Sequence, residues 1–355
     1  MSIKIYPNTK VYVVAPANTA TGGPELLHQL VYNLRKILNI NAYMYYIPDN
    51  HPNPIHPAYK QYNIPFVNKI EDKKENLLIV PEVAKGISVL LDYSKIRKAI
   101  WWLSVDNFYL SMFLSSKRKF FIRRAINKVS SMIFKREIFD IFTLVHKRIP
   151  SINLKDISEV QQANFHLVQS YYSFYHLKEK GIPEEKILYL SDYLNENFLK
   201  IKVDLYNKEN IVVYNPKKGF SFTKMIIESA LEIKFVPLIN MTREQVIETL
   251  QKAKVYIDFG NHPGKDRIPR EAAILGCCVI VGKNGSAKFY EDVPIENEFK
   301  YDVCPKNIPL IVKKIRNCFD NYEKEVKKFE KYTEIIKNEQ SKFIEDIKNI
   351  FQVSQ

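Results

Sequence analysis

At 355 residues the chain exceeds what one ordinary hydrophobic core supports, so two domains are expected. An apolar content of 46%, scarce Gly (10) and abundant Tyr (22) fit a compact soluble enzyme and argue against a flexible tail protein. The formal net charge of +14 favours acidic partners: phosphorylated small molecules, anionic lipid surfaces or nucleic acid.

Cys277, Cys278, Cys304 and Cys318 form no Cys-x-x-Cys pair. That argues against a zinc site or a disulfide framework and for a reducing cytoplasm. The N-terminal residues lack the apolar core of a signal peptide, and no stretch approaches the ~18 apolar residues of a membrane span. Membrane contact is therefore expected to be peripheral, on the inner face of the cell membrane.

A strand is expected over residues 11–16. After it come Gly22 and Gly23, then a helix opened by Pro24 with Leu27, Leu30, Val31, Leu34, Ile37 and Leu38 at helical spacing. Further strands over 42–47, 76–80 and 99–103 give a βαβ rhythm and hence a parallel sheet. His51 and His56, in a Pro-rich loop, read as solvent-exposed turn residues. Trp101 to Asn107 closes the fourth strand, where Asp106 is either a general base facing a cleft or the cap of the next helix.

Residues 117–148 differ in kind. Ten Lys and Arg (Lys117, Arg118, Lys119, Arg123, Arg124, Lys128, Lys135, Arg136, Lys147, Arg148) stand against Glu137 and Asp140, interleaved with Phe120, Ile122, Ile126, Val129 and Met132. This pattern describes a basic amphipathic helix on an anionic membrane surface, or a packed helix with a solvated basic face.

A strand over 165–170, a helix over 171–181 stopped by Gly181 and a short strand over 187–190 complete the first domain, 1–194. The second, 195–325, alternates cleanly: strand 211–214, helix 222–231, strand 235–239, then helix 242–253 with Thr242 and Gln245 at capping-box spacing. Strand 255–259, helix 270–275 and strand 277–281 follow. A helical tail over 326–355 is expected to pack on the body through Phe329, Tyr332, Ile336, Phe343, Ile347 and Ile350.

Three features bear on anions. Gly22 and Gly23 precede a helix, where backbone approaches a phosphate closely. Lys217 and Lys218 follow a strand, where a Lys pair neutralises a diphosphate without metal. The loop 260–271 carries His262, Lys265, Arg267, Arg270 and Glu271, with Pro269 at the first turn of a helix whose N–H groups and positive dipole end suit an anion. The alternative is a surface loop whose charges pair among themselves. The chain contains no Asp-x-Asp, so Mg²⁺ is not expected to bridge a diphosphate.

This layout resembles the bacterial glycosyltransferases with two Rossmann-like domains facing across a cleft (GT-B), near the retaining family 4 group, over nearly the whole chain. Gly22-Gly23-Pro24-Glu25 is similar to that family's N-terminal Gly-rich loop, and Lys218-Gly219 to the Lys-Gly that holds the donor diphosphate. The run from Glu271 to Ile280 resembles its Glu-Ala-x-Ala-x-Gly block, whose Glu holds ribose or sugar hydroxyls. Gly285 and Ser286 fall where a Gly-rich turn meets donor phosphate. The family's second Glu, eight positions earlier, is Pro263 here, with His262 and Asp266 as candidate substitutes.

The resemblance implies a metal-independent hexosyltransferase moving sugar from a nucleotide sugar to a glycan or lipid-linked acceptor, in surface polysaccharide or glycolipid assembly. It implies Lys218 and Glu271 in catalysis, no cofactor, and domain closure that excludes water; the family's usual His after the fourth strand is missing here, and Asp106 in that stretch is the candidate base in catalysis. An epimerase of the same fold and a non-catalytic nucleic-acid- or sugar-binding protein are the rivals. No nucleic-acid signature is present, so nucleic acid is not an expected partner.

Overall fold

The computed structural model describes residues 2–116, 118–134, 145 and 149–354. It divides into two compact units, one of Met1–Gln169, Ser173–Leu190 and Ile344–Gln355, the other of Ser170–Tyr172 and Ser191–Phe343.

The first unit is built on a six-stranded parallel sheet. Its strands are β2 (Lys10–Pro16), β3 (Asn41–Ile47), β4 (Leu77–Pro81), β5 (Arg97–Trp102), β6 (Phe165–Val168) and β7 (Ile187–Tyr189), in the order β3-β2-β4-β5-β6-β7. β4 is buried at every position, the mark of a strand covered on both faces. The chain runs from β2 to β3 on one side and returns to place β4 on the other. The reversal falls at the carboxyl ends of β2 and β4, the position where open α/β sheets bind ligands. A small parallel pair joins β1 (Ile3–Ile5) to a strand at Phe351–Val353 near the other end of the chain.

In the second unit the five strands are β8 (Glu209–Tyr214), β9 (Lys234–Pro237), β10 (Ala253–Asp258), β11 (Cys278–Gly282) and β12 (Lys300–Tyr301), ordered β12-β11-β10-β8-β9 and all parallel. Here the reversal falls between β8 and β10. Val212, Val255, Tyr256, Ile257, Val279 and Ile280 are fully buried and form the sheet's core. Helix Arg243–Lys252 starts with the expected capping box between Thr242 and Gln245. Phe329, Tyr332 and Ile336 insert into this core from the C-terminal helices.

Residues 135–144 and 146–148 of the basic segment, and Lys117, lie outside the described residues. Helix Arg118–Phe134 carries much of what remains. On it Ile122, Ile126 and Val129 are 47, 39 and 55% exposed, whereas Asn127 and Ser130 are buried. Ile122, Ile126 and Val129 thus face outward, beside Arg124 and Lys128.

Candidate active site

In the second unit three loops meet at the carboxyl ends of β8, β10 and β11. The first turns at Gly219, whose φ of +59° falls in the left-handed region. A Cβ there would lie 2.5 Å from the Phe259 carbonyl oxygen and 2.6 Å from the Gly260 nitrogen, so only glycine lets these loops touch backbone to backbone. Gly285, at φ +54°, approaches the His262 carbonyl in the same way, and the Ser286 N–H donates to that carbonyl at 2.8 Å.

Across the β8–β10 reversal runs a chain of charges. Lys218 Nζ donates to both carboxylate oxygens of Asp266, at 3.0 and 2.9 Å. His262 Nδ1 lies 2.9 Å from Asp266 Oδ2, and its Nε2 is 3.9 Å from Asp258 Oδ1. Asp258 in turn accepts from the Gly260 N–H and the Tyr256 hydroxyl. His262 is fully buried; burial opposes its charge, yet the two carboxylates raise its pKa above the ordinary range. Burial also pushes Asp266 up, but His262 and Lys218 hold it below the usual carboxylate range. The outer end of the chain is open: the Lys218 side chain is 33% exposed.

Asp258, His262 and Asp266 bring one potential ligand atom each within 4.8 Å of one another. In count they suit a divalent ion. The Lys218 ammonium, however, already supplies the positive charge that Asp266 needs, and a cation this close repels a second one.

Two cations expected to face the ligand are committed elsewhere. Arg270 is 1% exposed. Its Nη2 and Nη1 grip Asp192 at 2.5 and 3.1 Å, Nη1 reaches Glu339 at 2.8 Å, and Nε and Nη2 donate to the carbonyls of Asp266 and Lys265. Lys265 Nζ pairs with the same Asp192 and Glu339, at 3.4 and 3.3 Å. Burial works against the Arg270 charge, and the two carboxylates more than offset that. So Lys265 and Arg270 are corrected from ligand-binding cations to the positive half of a buried knot. The alternative of a surface loop whose charges pair among themselves does not describe these two cations, whose carboxylate partners lie outside the loop and in the interior.

The helix start is corrected too. It spans Arg267–Ile274 with Asp266 at the cap, three residues ahead of the expected start, and Pro269, its third residue, keeps its place in the first turn. Ser286 spends its hydroxyl on the Gly264 carbonyl at 2.6 Å and is fully buried, so it shapes the loop from within. Glu271 lies 3.7 Å from Arg267 one turn away, and Lys217 is exposed at the tip of the β8 loop.

In the first unit, helix Gly22–Leu38 begins at Gly22 itself, two residues ahead of Pro24. Tyr59 clamps the preceding residue: its hydroxyl donates to the Thr21 carbonyl at 2.9 Å and accepts from the Thr21 N–H at 3.1 Å. His28 donates through Nδ1 to the Pro24 carbonyl and accepts from the Tyr46 hydroxyl, and burial holds it neutral by lowering its pKa. Helix Val105–Ser116 is capped by Ser104, whose Oγ accepts from the Asn107 N–H at 3.2 Å. The cap role considered for Asp106 therefore belongs to Ser104, and Asp106 lies in the first turn, 3% exposed.

Sequence reasoning missed Glu82. It closes the all-apolar β4 at the β2–β4 reversal, and Oε2 accepts from the Leu103 N–H at 3.1 Å. Burial pushes its carboxyl up to about 7, against the backbone N–H groups of Glu82, Leu103 and Ser104. An acidic residue directly after five buried apolar ones was the available signal. Because its pKa is raised on folding, the folded protein keeps a proton that the unfolded chain loses. Stability is then present at acid pH and falls as pH rises from about 4.5 to about 7, by about 3 kcal/mol. In Glu82→Gln that fall should vanish from urea melts across this window; an unchanged slope would remove Glu82 as its source.

No family model matches the sequence, and no curated protein is detectably similar. Solved structures are another matter. HepE from Anabaena, in complex with UDP and glucose, aligns with a TM-score of 0.57 at 12% identity, over 96% of this chain and 98% of that one. A sucrose-phosphate synthase from Thermosynechococcus elongatus aligns at 0.59 and 11% identity with the same coverage, and a glycosyltransferase from Rickettsia africae at 0.53 and 14%, over 97% and 94%. The chain has the GT-B fold. Both halves of the GT-B alignment are present, as the two parallel sheets show on their own.

Proposed function

We propose that this chain transfers a hexose from a nucleoside-diphosphate sugar to a glycan or lipid-linked acceptor in bacterial surface polysaccharide or glycolipid assembly, without a metal. The observation that carries the reading is the partly exposed Lys218 at the β8–β10 reversal, where the GT-B fold and the strand topology together favour a nucleotide. The UDP-glucose bound to HepE and the lipopolysaccharide outer-core galactosyltransferase activity named for the similar WaaB (TM-score 0.50, 9% identity) support the class of reaction.

Lys218 neutralises the diphosphate, where negative charge grows as the sugar departs. Glu271 and Arg267 receive ribose or sugar hydroxyls, and Lys217 adds charge at the rim. Gly22 and Gly23 present helix N–H groups on the acceptor side, and Asp106 takes the proton from the acceptor hydroxyl. Resemblance to the family 4 group supports retention at the anomeric carbon. The outward Ile122, Ile126 and Val129 beside Arg124 and Lys128 support peripheral attachment to an anionic membrane from the cytoplasmic side; no helix among the described residues is long and apolar enough to cross one.

Nucleotide release from a panel of nucleotide sugars tests this, with lipid-linked acceptors in anionic vesicles and with EDTA present. Release that requires acceptor, ignores EDTA and rises with anionic lipid is expected. Epimerised donor without release, or loss of activity in EDTA, contradicts it.

A further inference from the structure

We infer that Asp266 is an internal counter-ion that competes with the substrate diphosphate for Lys218 and thereby governs how readily the nucleoside diphosphate leaves. The inference rests on the proposed role of Lys218 and adds a function for the carboxylate beside it.

Lys218 is not waiting unpaired for a ligand. Its ammonium bridges both oxygens of Asp266, so a diphosphate has to replace an anion already in place. Asp266 has, moreover, given up the bond its position offers. It is the cap residue of helix Arg267–Ile274, where Asp ordinarily accepts from the N–H of the second or third helical residue, yet its side chain makes no capping hydrogen bond. The third residue is Pro269, which has no N–H, and the carboxylate is turned instead towards Lys218 and His262.

His262 makes the arrangement reversible. Fully buried and 2.9 Å from Asp266, it retains the carboxylate when Lys218 turns to a ligand, so the rival anion is displaced by a short distance and not expelled. Departure of the sugar leaves one more negative charge on the diphosphate than the nucleotide sugar carried. That charge strengthens attraction to Lys218 and repulsion from Asp266 together, and the Lys218–Asp266 pair re-forms as the product goes.

Calorimetric titration of UDP and GDP into the wild type, Asp266→Asn, Lys218→Met and the double variant tests the idea. Removing the rival carboxylate should tighten binding of the cognate nucleotide roughly 2- to 5-fold, the range for a partly exposed pair, and the gain should disappear in the Lys218→Met background. Asp266→Ser carries the same expectation should Asn disturb the helix start. Unchanged or weaker binding to the Asp266 variants, or a gain that persists without Lys218, overturns the inference while a loss in Lys218→Met leaves the proposed function standing. Binding of neither nucleotide to the wild type, or no loss in Lys218→Met, overturns the reading of Lys218 and this inference with it.

Discussion

Lys218→Met should lower kcat about 10²–10³-fold while leaving the fold intact, measured by nucleotide release at saturating acceptor and by thermal melting. The kinetic loss follows from removing the partly exposed cation aimed at the developing diphosphate charge. Methionine keeps most of the aliphatic stem, and a pair of this exposure contributes only about 0–1 kcal/mol to stability. The loss should fall on kcat more than on KM, because the interaction strengthens as the sugar–phosphate bond breaks. A variant with undiminished turnover would show that the charge grows elsewhere.

Arg270→Met is expected to act in the opposite manner, on stability first. Asp192 and Glu339 are 2 and 4% exposed, and without the guanidinium Lys265 is the one cation paired with them among the described residues. Breaking a buried pair from one side costs about 3–5 kcal/mol, because a carboxylate is left uncompensated in the interior. For a unit of this size that is a fall of roughly 10 °C in melting temperature. A melting temperature unchanged by Arg270→Met, with nucleotide binding lost, would return Arg270 to the ligand site.

The contrast between these two cations shows where sequence reasoning reached its limit. Strand edges were legible to within about two residues, because buried parallel strands such as Val255 to Ile257 are continuous apolar runs bounded by polar or Gly residues. Lys217 and Lys218 were legible as turn residues for a local reason, since they directly follow a strand, and the structure adds that Gly219 beside them has a positive φ. The capping box at Thr242 and Gln245 is equally local.

Arg270 was misread because its partners are 78 and 69 residues away in the chain, and nothing in its own neighbourhood announces them. Ser286 was misread similarly, its acceptor lying in the β10 loop. Asp266 was legible only as a candidate substitute for the family's second Glu; the fold alone reveals that Lys218 and His262 claim it. The β1 pairing escaped notice because three-residue strands at distant points of the chain carry too little pattern. Local backbone chemistry was readable, and pairings closed by tertiary contacts were not.

A crystal structure with UDP or GDP bound tests the central claim most directly. A β-phosphate oxygen is expected within about 3 Å of Lys218 Nζ at the carboxyl ends of β8 and β10, with the Asp266 carboxylate turned away from that ammonium and still beside His262. A nucleotide bound elsewhere, with Lys218 and Asp266 still bridged, would contradict it.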